Sequence, residues 1–436
     1  MSGHTSLTRI LLFLLVHALP GVPICSASGA SILTSVSKEA ADIQSWLVSL
    51  RRRFHQIPEL MYEEVETGKL IRETLDNLGI SYRHPLAKTG IVADIGHGSS
   101  SLTVALRADM DALPINEQTG LEFASKEPGK MHACGHDSHI TMLLGAAKLL
   151  KAHEKELPGT VRLIFQPAEE GGAGGDLMVK EGAVKDVAAI FGLHVWPFTP
   201  SGTLASRAGP IMGACQQFQV RITGVGGHAA MPHATVDPVV AAANTISALQ
   251  ALVSRETSPL GTAVVSITRL AAGEGAYNVI PDSANFGGTL RSLSHDHLMY
   301  MKQRMEEVVT AQAQSHRCSA EVDWLELKEP YYPPTVNDRA MYKFAAEVGT
   351  RLQGGFMEDY EPTLGGEDFS FYGHAGVPAA FTFLGIRNET AGSVHGLHTP
   401  RFMMDEEVLQ TGAAYLASLA SEYLAQHHKP AGKQEL

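Results

Sequence analysis

Cysteine is scarce in this chain: four residues among 436. So low a number excludes a disulfide-built scaffold. Long apolar runs are scarce too. One near the N-terminus, Ile10 to Val16, is too short to span a bilayer, and no later run is long and apolar enough. There is no long basic run, and the formal charge is −12. That argues against nucleic acid as a partner, because its binding rests on neutralised phosphates. Internal repeats are absent. Charged residues make up 18% and hydrophobic residues 44%, a globular balance with enough chain for two or three domains.

The two ends read as addresses rather than as fold. Arg9, the apolar run after it and the small residues Cys25-Ser26-Ala27 read as a secretory signal peptide over residues 1–27, with an uncleaved anchor as the alternative. The last four residues, Lys433-Gln434-Glu435-Leu436, resemble an endoplasmic-reticulum retrieval tail with Gln434 where Asp is usual. The expected location is the lumen of that compartment, or outside the cell if the variant tail is not retrieved. Losing the leader removes Cys25 and leaves Cys134, Cys215 and Cys318, an odd number. In an oxidising lumen an unpaired thiol needs a reason to stay reduced, and metal ligation is one for Cys134. Cys215 and Cys318 are free to pair or to be buried.

Between the ends, apolar spacing predicts helices over Ser37–Arg53, Glu64–Leu78, Ile140–His153 and Gly175–Glu181. Short apolar runs predict strands at Ile91–Ile95, Leu102–Arg107, Val161–Phe165 and Ala188–Leu193, the first two around a Gly-Ser turn. Alternating strand and helix implies an α/β layer on a largely parallel sheet. From about Gly213 the character changes. Strands at Phe218–Thr223, Val264–Leu270, Asn285–Arg291 and Ala320–Leu327, with helices at Pro238–Ser254 and His295–Ser315, form two β-α-β units. After Pro333-Pro334 the first pattern returns, with helices Asp338–Leu352 and Glu406–Leu424 around a strand Ala379–Leu384. The expected architecture is α/β. A discontinuous larger domain (residues 37–212 and 326–424) carries an inserted α+β sandwich (213–325), and a mobile tail covers 425–436.

The chemistry concentrates in Met131-His132-Ala133-Cys134-Gly135-His136-Asp137-Ser138-His139. Cys134 and His136 stand two apart, so in an extended segment both side chains leave one face. Thiolate and imidazole are both good ligands for a divalent transition metal. A buried Cys beside a solvated, His-rich turn is the plainer alternative. Glu169-Glu170 sits at a predicted strand end among Gly171, Gly172, Gly174 and Gly175. Of two such carboxylates one can bind metal while the other takes a proton from water; a solvated acidic turn is the alternative. His194 closes another predicted strand, where ligands of parallel sheets collect. His398 lies in a Pro-flanked turn, Gly396-Leu397-His398-Thr399-Pro400. Asp109 and Asp111, in Arg107 to Pro114, are placed to orient a ligand imidazole or to cap a turn.

These stretches occur together and in order with Gly226-Gly227-His228-Ala229-Ala230-Met231-Pro232. In this the chain resembles the M20 family of metallopeptidases. The likeness is to the amidohydrolase branch that holds bacterial hippurate hydrolases and plant hydrolases of auxin–amino acid conjugates. It runs from about Trp46 to Leu424. The resemblance implies two divalent metal ions, manganese by family habit although the thiolate favours zinc. It implies Cys134, His136, Glu170, His194 and His398 as their ligands, Glu169 as general base and Asp111 as a supporting acid. It implies a lid or dimerisation role for the inserted unit, with His228 holding the oxyanion and Asn278 near the substrate. Arg291, after a predicted strand, is the candidate receptor for a substrate carboxylate.

The expected reaction is hydrolysis of the amide of an N-acyl amino acid, releasing indole-3-acetic acid from its conjugates. A jasmonate–amino acid conjugate has the same cleavable bond and is the alternative substrate. The alternative of another class is an inactive metal-binding dimer that works through its surface. The intact set of Glu169 and five ligands argues against it. The expected partners are the small-molecule substrate and a second copy of the chain, with no nucleic acid and no membrane span once the leader is gone.

Overall fold

The computed structural model describes residues 29–96 and 102–428, with side chains from Ser35. The leader at 1–27, most of the Gly-Ser turn and the retrieval-like tail lie outside the described residues. No described helix is long and apolar enough to cross a membrane.

Among the described residues, seven strands form the larger sheet. Their order is Tyr82–Leu86, Gly90–Ile95, Thr160–Gln166, Thr103–Asp109, Val187–Pro200, Ala379–Arg387 and Leu204–Ala205. The four central strands from Thr160–Gln166 to Ala379–Arg387 run parallel, and antiparallel strands close each edge. The two strands flanking the Gly-Ser turn do not pair, because Thr160–Gln166 lies between them. Strands joined by so short a link would otherwise form an antiparallel hairpin; here the parallel crossover through helix His136–Ala152 wins the central place.

That helix is buried on almost every side, between the sheet and the helices Gln44–His55 and Val408–His427. Its neighbours come very close. A Cβ on Gly145 would sit 2.7 Å from both Ala413 Cβ and Leu47 Cδ2, so only glycine fits there. The first predicted helix is in fact two, Gly29–Asp42 and Gln44–His55, kinked at Ile43 (φ −98°, ψ 7°). Backbone bonds still run through the kink, from Ile43 N–H to Glu39 and from Leu47 N–H to Ile43. The last helix continues to His427, past the expected stop at Leu424.

A second sheet has the order Val264–Ala272, Ser283–Ser292, Ala214–Thr223, Ser319–Asp323, all antiparallel. Helices Pro238–Ala251 and His295–Ser315 complete a β-α-β-β-α-β order. Asp237 caps the first helix through the amides of Val239 and Val240, and Ser294 caps the second through His297 N–H. This unit has a separate core built on Phe218, Val220, Phe286, Leu290, Met301 and Met305. Its last strand stops at Asp323 rather than Leu327. Leu325 is left-handed (φ 56°), and its amide donates to Asp323 Oδ1, which turns the chain away. Cys215 and Cys318 are both free thiols.

Candidate metal centre and active-site cleft

The larger sheet delivers the candidate site residues from the carboxyl ends of its parallel strands. Cys134 and His136 do not reach it through an extended segment. Gly135 is left-handed (φ 92°) and starts the helix at His136. The reversal, rather than strand alternation, brings thiol and imidazole to one side. His194 does not end its strand either, since Val187–Pro200 runs six residues further. Pairing with Thr103–Asp109 stops at Gly192, so His194 lies past the last rung that the two strands share.

His136 and His194 are each aimed by the other ring nitrogen. His136 donates from Nδ1 to the Asp111 carbonyl at 2.9 Å, leaving Nε2 buried with no hydrogen-bond partner. His194 donates from Nδ1 to the Val195 carbonyl at 2.7 Å, so Nε2 faces Cys134 Sγ at 3.4 Å. His398 is left-handed (φ 59°) and anchored by its amide on the Ala133 carbonyl. Its Nε2 stands 3.3 Å from Cys134 Sγ and 3.1 Å from Glu170 Oε1. Of the other two imidazoles of the His-rich stretch, one is engaged at both ring nitrogens and one is buried without a hydrogen bond. His139 donates to Asp109 at 2.6 Å and accepts from Val195 N–H at 2.9 Å. His132 is buried, and burial holds its pKa down at about 4.

The Glu169-Glu170 turn is pinned from several sides. The Asp111 carboxylate accepts from Glu169 N–H at 3.0 Å and Glu170 N–H at 2.9 Å. Asp111 therefore positions the acidic pair more directly than it positions an imidazole; its Oδ1 is 3.4 Å from His136 Nδ1. Glu64 accepts from Ala168 N–H at 2.9 Å, supporting a left-handed Ala168 (φ 55°). Glu64 and Asp109 are residues that sequence reasoning left without a definite role. Asp109 shared the alternating Arg107-Asp109-Asp111 signal with its neighbour, whereas nothing local marked Glu64.

The two acids differ in charge preference. Burial, reinforced by Glu367, Glu170 and Asp368, pushes the Glu169 pKa well above the usual range. Burial also opposes ionisation of Glu170, but the His398 hydrogen bond and the charge of His136 outweigh it and hold Glu170 low. Cys134 is pushed well up by burial and then by Glu170 and Glu169. A buried thiol among carboxylates gives up its proton only to a cation. The donors fit two divalent ions on that ground. Cys134, His136 and His194 converge within 4.8 Å, and so do Cys134, Glu170 and His398, with Cys134 common to both sets. His136 Nε2, buried without a hydrogen-bond partner, is an atom such an ion would satisfy.

The centre opens into a cleft of about 660 Å³ that Cys134, Glu169, Glu170, His194 and His398 share with Trp196, Phe198 and Arg291. Arg291 reaches in from the second unit, donating to the Leu364 carbonyl at 2.8 Å. His228 and Asn278 do not line this cleft. Both are exposed on the second unit, where Gly227–His228 pairs with Val279–Ile280. Ala229 N–H donates to the Asn278 carbonyl at 2.9 Å, so within this chain Asn278 supports the His228 hairpin.

A discontinuous α/β scaffold with a paired thiolate, imidazole and carboxylate centre defines a two-metal hydrolase. The chain belongs to peptidase family M20/M25/M40, whose model matches residues 105–422. It is 48% identical over 418 residues to IAA-amino acid hydrolase ILR1-like 4 of Arabidopsis thaliana, covering 94% of each chain. It is 42% identical to N-acetylcysteine deacetylase of Bacillus subtilis, covering 86% of this chain and 96% of that one. Among solved structures, the Bacillus subtilis YXEP protein, a dinuclear metal-binding peptidase of family M20, superposes with a TM-score of 0.76. It is 38% identical and covers 88% of this chain and 99% of that one.

Cys134→Ser should weaken metal binding, because an alcohol rarely ionises as a thiol does. Metal content after dialysis measures this. A full complement in the variant would remove Cys134 from the ligand set.

Proposed function

We propose that this enzyme hydrolyses the amide bond of N-acyl amino acids, above all indole-3-acetyl conjugates. The observation that carries the reading is the convergence of Glu169 with five metal-type donors in one cleft. Trp196, Phe198 and Arg291 line the same cleft. The names of the relatives, an IAA-amino acid hydrolase and an N-acetylcysteine deacetylase, support the bond class. The aromatic acyl group is supported by Trp196 and Phe198, rings 5.6 Å apart, with Phe198 66% exposed.

Cys134, His136, Glu170, His194 and His398 hold the two ions, manganese in this proposal, with zinc the alternative that the thiolate favours. When bound, the ions polarise the amide carbonyl and make water a nucleophile near neutral pH. Glu169 takes the proton from the attacking water. It then passes that proton to the leaving amine nitrogen. Arg291 receives the carboxylate of the amino-acid half. Glu169→Gln should keep its metal and lose turnover by about 10²–10⁴-fold, the usual cost of a lost general base. Wild-type activity in that variant would overturn the role. A panel of indole-3-acetyl, jasmonoyl and N-acetyl amino acids tests the substrate class, and a clear preference for non-aromatic acyl groups would overturn it.

The unit at 213–325 serves as lid or dimerisation module, and His228 donates to the oxyanion. Ala230 N–H donates to His228 Nδ1 at 3.1 Å, which leaves the ring proton of the neutral imidazole on Nε2. Because His228 is exposed and outside the cleft of its own chain, it acts by closure of the unit or from a second subunit. His228→Ala should retain metal while turnover falls about 10²–10³-fold, as for a lost oxyanion donor. Restored activity on mixing Glu169→Gln with His228→Ala subunits would show that it acts across a dimer. Wild-type turnover in His228→Ala would remove the role altogether.

The leader at 1–27 and the Lys433–Leu436 tail route the enzyme to the endoplasmic-reticulum lumen. Deleting 433–436 should raise secretion and leave catalysis unchanged. A full-length protein already found in the medium or the cytosol contradicts retrieval.

A further inference from the structure

Chain leaving the second unit passes directly beneath the acidic pair. Tyr332 lies on that exit, and its hydroxyl is buried inside the turn that carries Glu169. It donates to the Glu169 carbonyl at 2.6 Å and accepts from Gly171 N–H at 3.1 Å and Ala173 N–H at 3.0 Å. Gly171 (φ 101°) and Ala173 (φ 50°) both have left-handed backbones, so the turn is not one the chain would hold unaided. Asp111 and Glu64 fix its entry, at residues 168–170. Tyr332 fixes its exit.

The same residue is tied by its backbone to the second unit. Cys215 N–H donates to the Tyr332 carbonyl at 2.9 Å, and Tyr332 N–H to the Cys215 carbonyl at 3.0 Å. Cys215 in turn stands opposite Arg291 in the second sheet. Residues directly opposite in antiparallel pairs project to one face, and all three side chains line the cleft. A single row of three residues thus joins the turn bearing the base to the residue proposed to meet the substrate carboxylate.

We propose that Tyr332 is a positioning residue that ties the posture of the second unit to the position of the Glu169 carboxylate. The proposal rests on Glu169 as the proton-transfer group. When the second unit moves, the Cys215–Tyr332 pair moves with it, and the hydroxyl carries that displacement to the turn. Removing the hydroxyl leaves Asp111 and Glu64 in place, so the turn keeps its entry and loses the register of its exit. Small misplacements of a reacting group cost rate rather than binding.

Steady-state kinetics of Tyr332→Phe on an indole-3-acetyl amino acid test this, with metal content and the thermal midpoint measured on the same preparation. The expected result is full metal, an unchanged midpoint, a KM within about twofold of wild type and a kcat about 10–100-fold lower. The double variant with Glu169→Gln should be no slower than Glu169→Gln alone, because Tyr332 acts only through that carboxylate. Wild-type kcat in Tyr332→Phe beside an inactive Glu169→Gln overturns the proposal and leaves the assignment of the base intact. Loss of metal or a lowered midpoint in Tyr332→Phe overturns it too, as does a further full-sized rate loss in the double variant, since each marks a role other than positioning. An active Glu169→Gln fails the reading of the base and this proposal together.

Discussion

Carboxylates crowded together with little exposure set the terms for everything around them. Asp109, Asp111, Glu169, Glu367 and Asp368 are buried, with Glu170 beside them. Arg107 answers part of this charge. Its guanidinium reaches Asp109 and Asp368 at 2.7 Å, Glu367 at 3.0 Å and Gln166 at 2.9 Å. Even so, burial pushes Glu367 up to about 8 and Asp368 to about 6, with Arg107 pulling both the other way. Uncompensated buried charge is costly enough that groups neutralise instead. The cluster is therefore built around positive charge, part covalent in Arg107 and part exchangeable at the thiol and imidazoles. His136 shows the second kind. Burial disfavours its charged form, yet Asp109 and Asp111 outweigh that and raise its pKa to about 10. An ion bound at its Nε2 would take the place of the proton that these carboxylates favour.

This constraint explains why the site is assembled from so many places. Parallel strands present residues at one edge of the sheet, and the loops beyond them supply the rest. Rigid parts lie beneath: a helix buried on nearly all sides starts at His136, and Gly145 lets its neighbours close to van der Waals contact. The second unit, with its own core, lies above. The cleft between them has one wall from each.

Much of the site was legible because the chemistry of each donor is carried by its residue type and by the turn residues next to it. Cys134, His136, Glu169, Glu170, His194 and His398 could be picked out one by one, and their order along the chain suggested that they meet. What the sequence hid was local geometry. Strand alternation seemed to join Cys134 to His136, but a left-handed Gly135 does so. His194 seemed to end a strand, because nothing in Val195 to Pro200 shows that only one side of that strand loses its partner. The strands around the Gly-Ser turn were legible as strands, but not that Thr160–Gln166 would lie between them. Glu64 and Tyr332 escaped notice because their partners are backbone amides far along the chain. No spacing rule connects a hydroxyl to a turn about 160 residues earlier.

The account stands or falls on exchangeable cations completing the charge balance around Cys134 and Glu170. Elemental analysis of the purified full chain, before and after chelation and combined with thermal unfolding and an amide-hydrolysis assay, tests it directly. Two divalent ions per chain are predicted, with chelation abolishing hydrolysis and lowering the unfolding midpoint, and both restored when ions are added back. A chain that hydrolyses amides and unfolds at the same temperature with less than about one ion bound would contradict it.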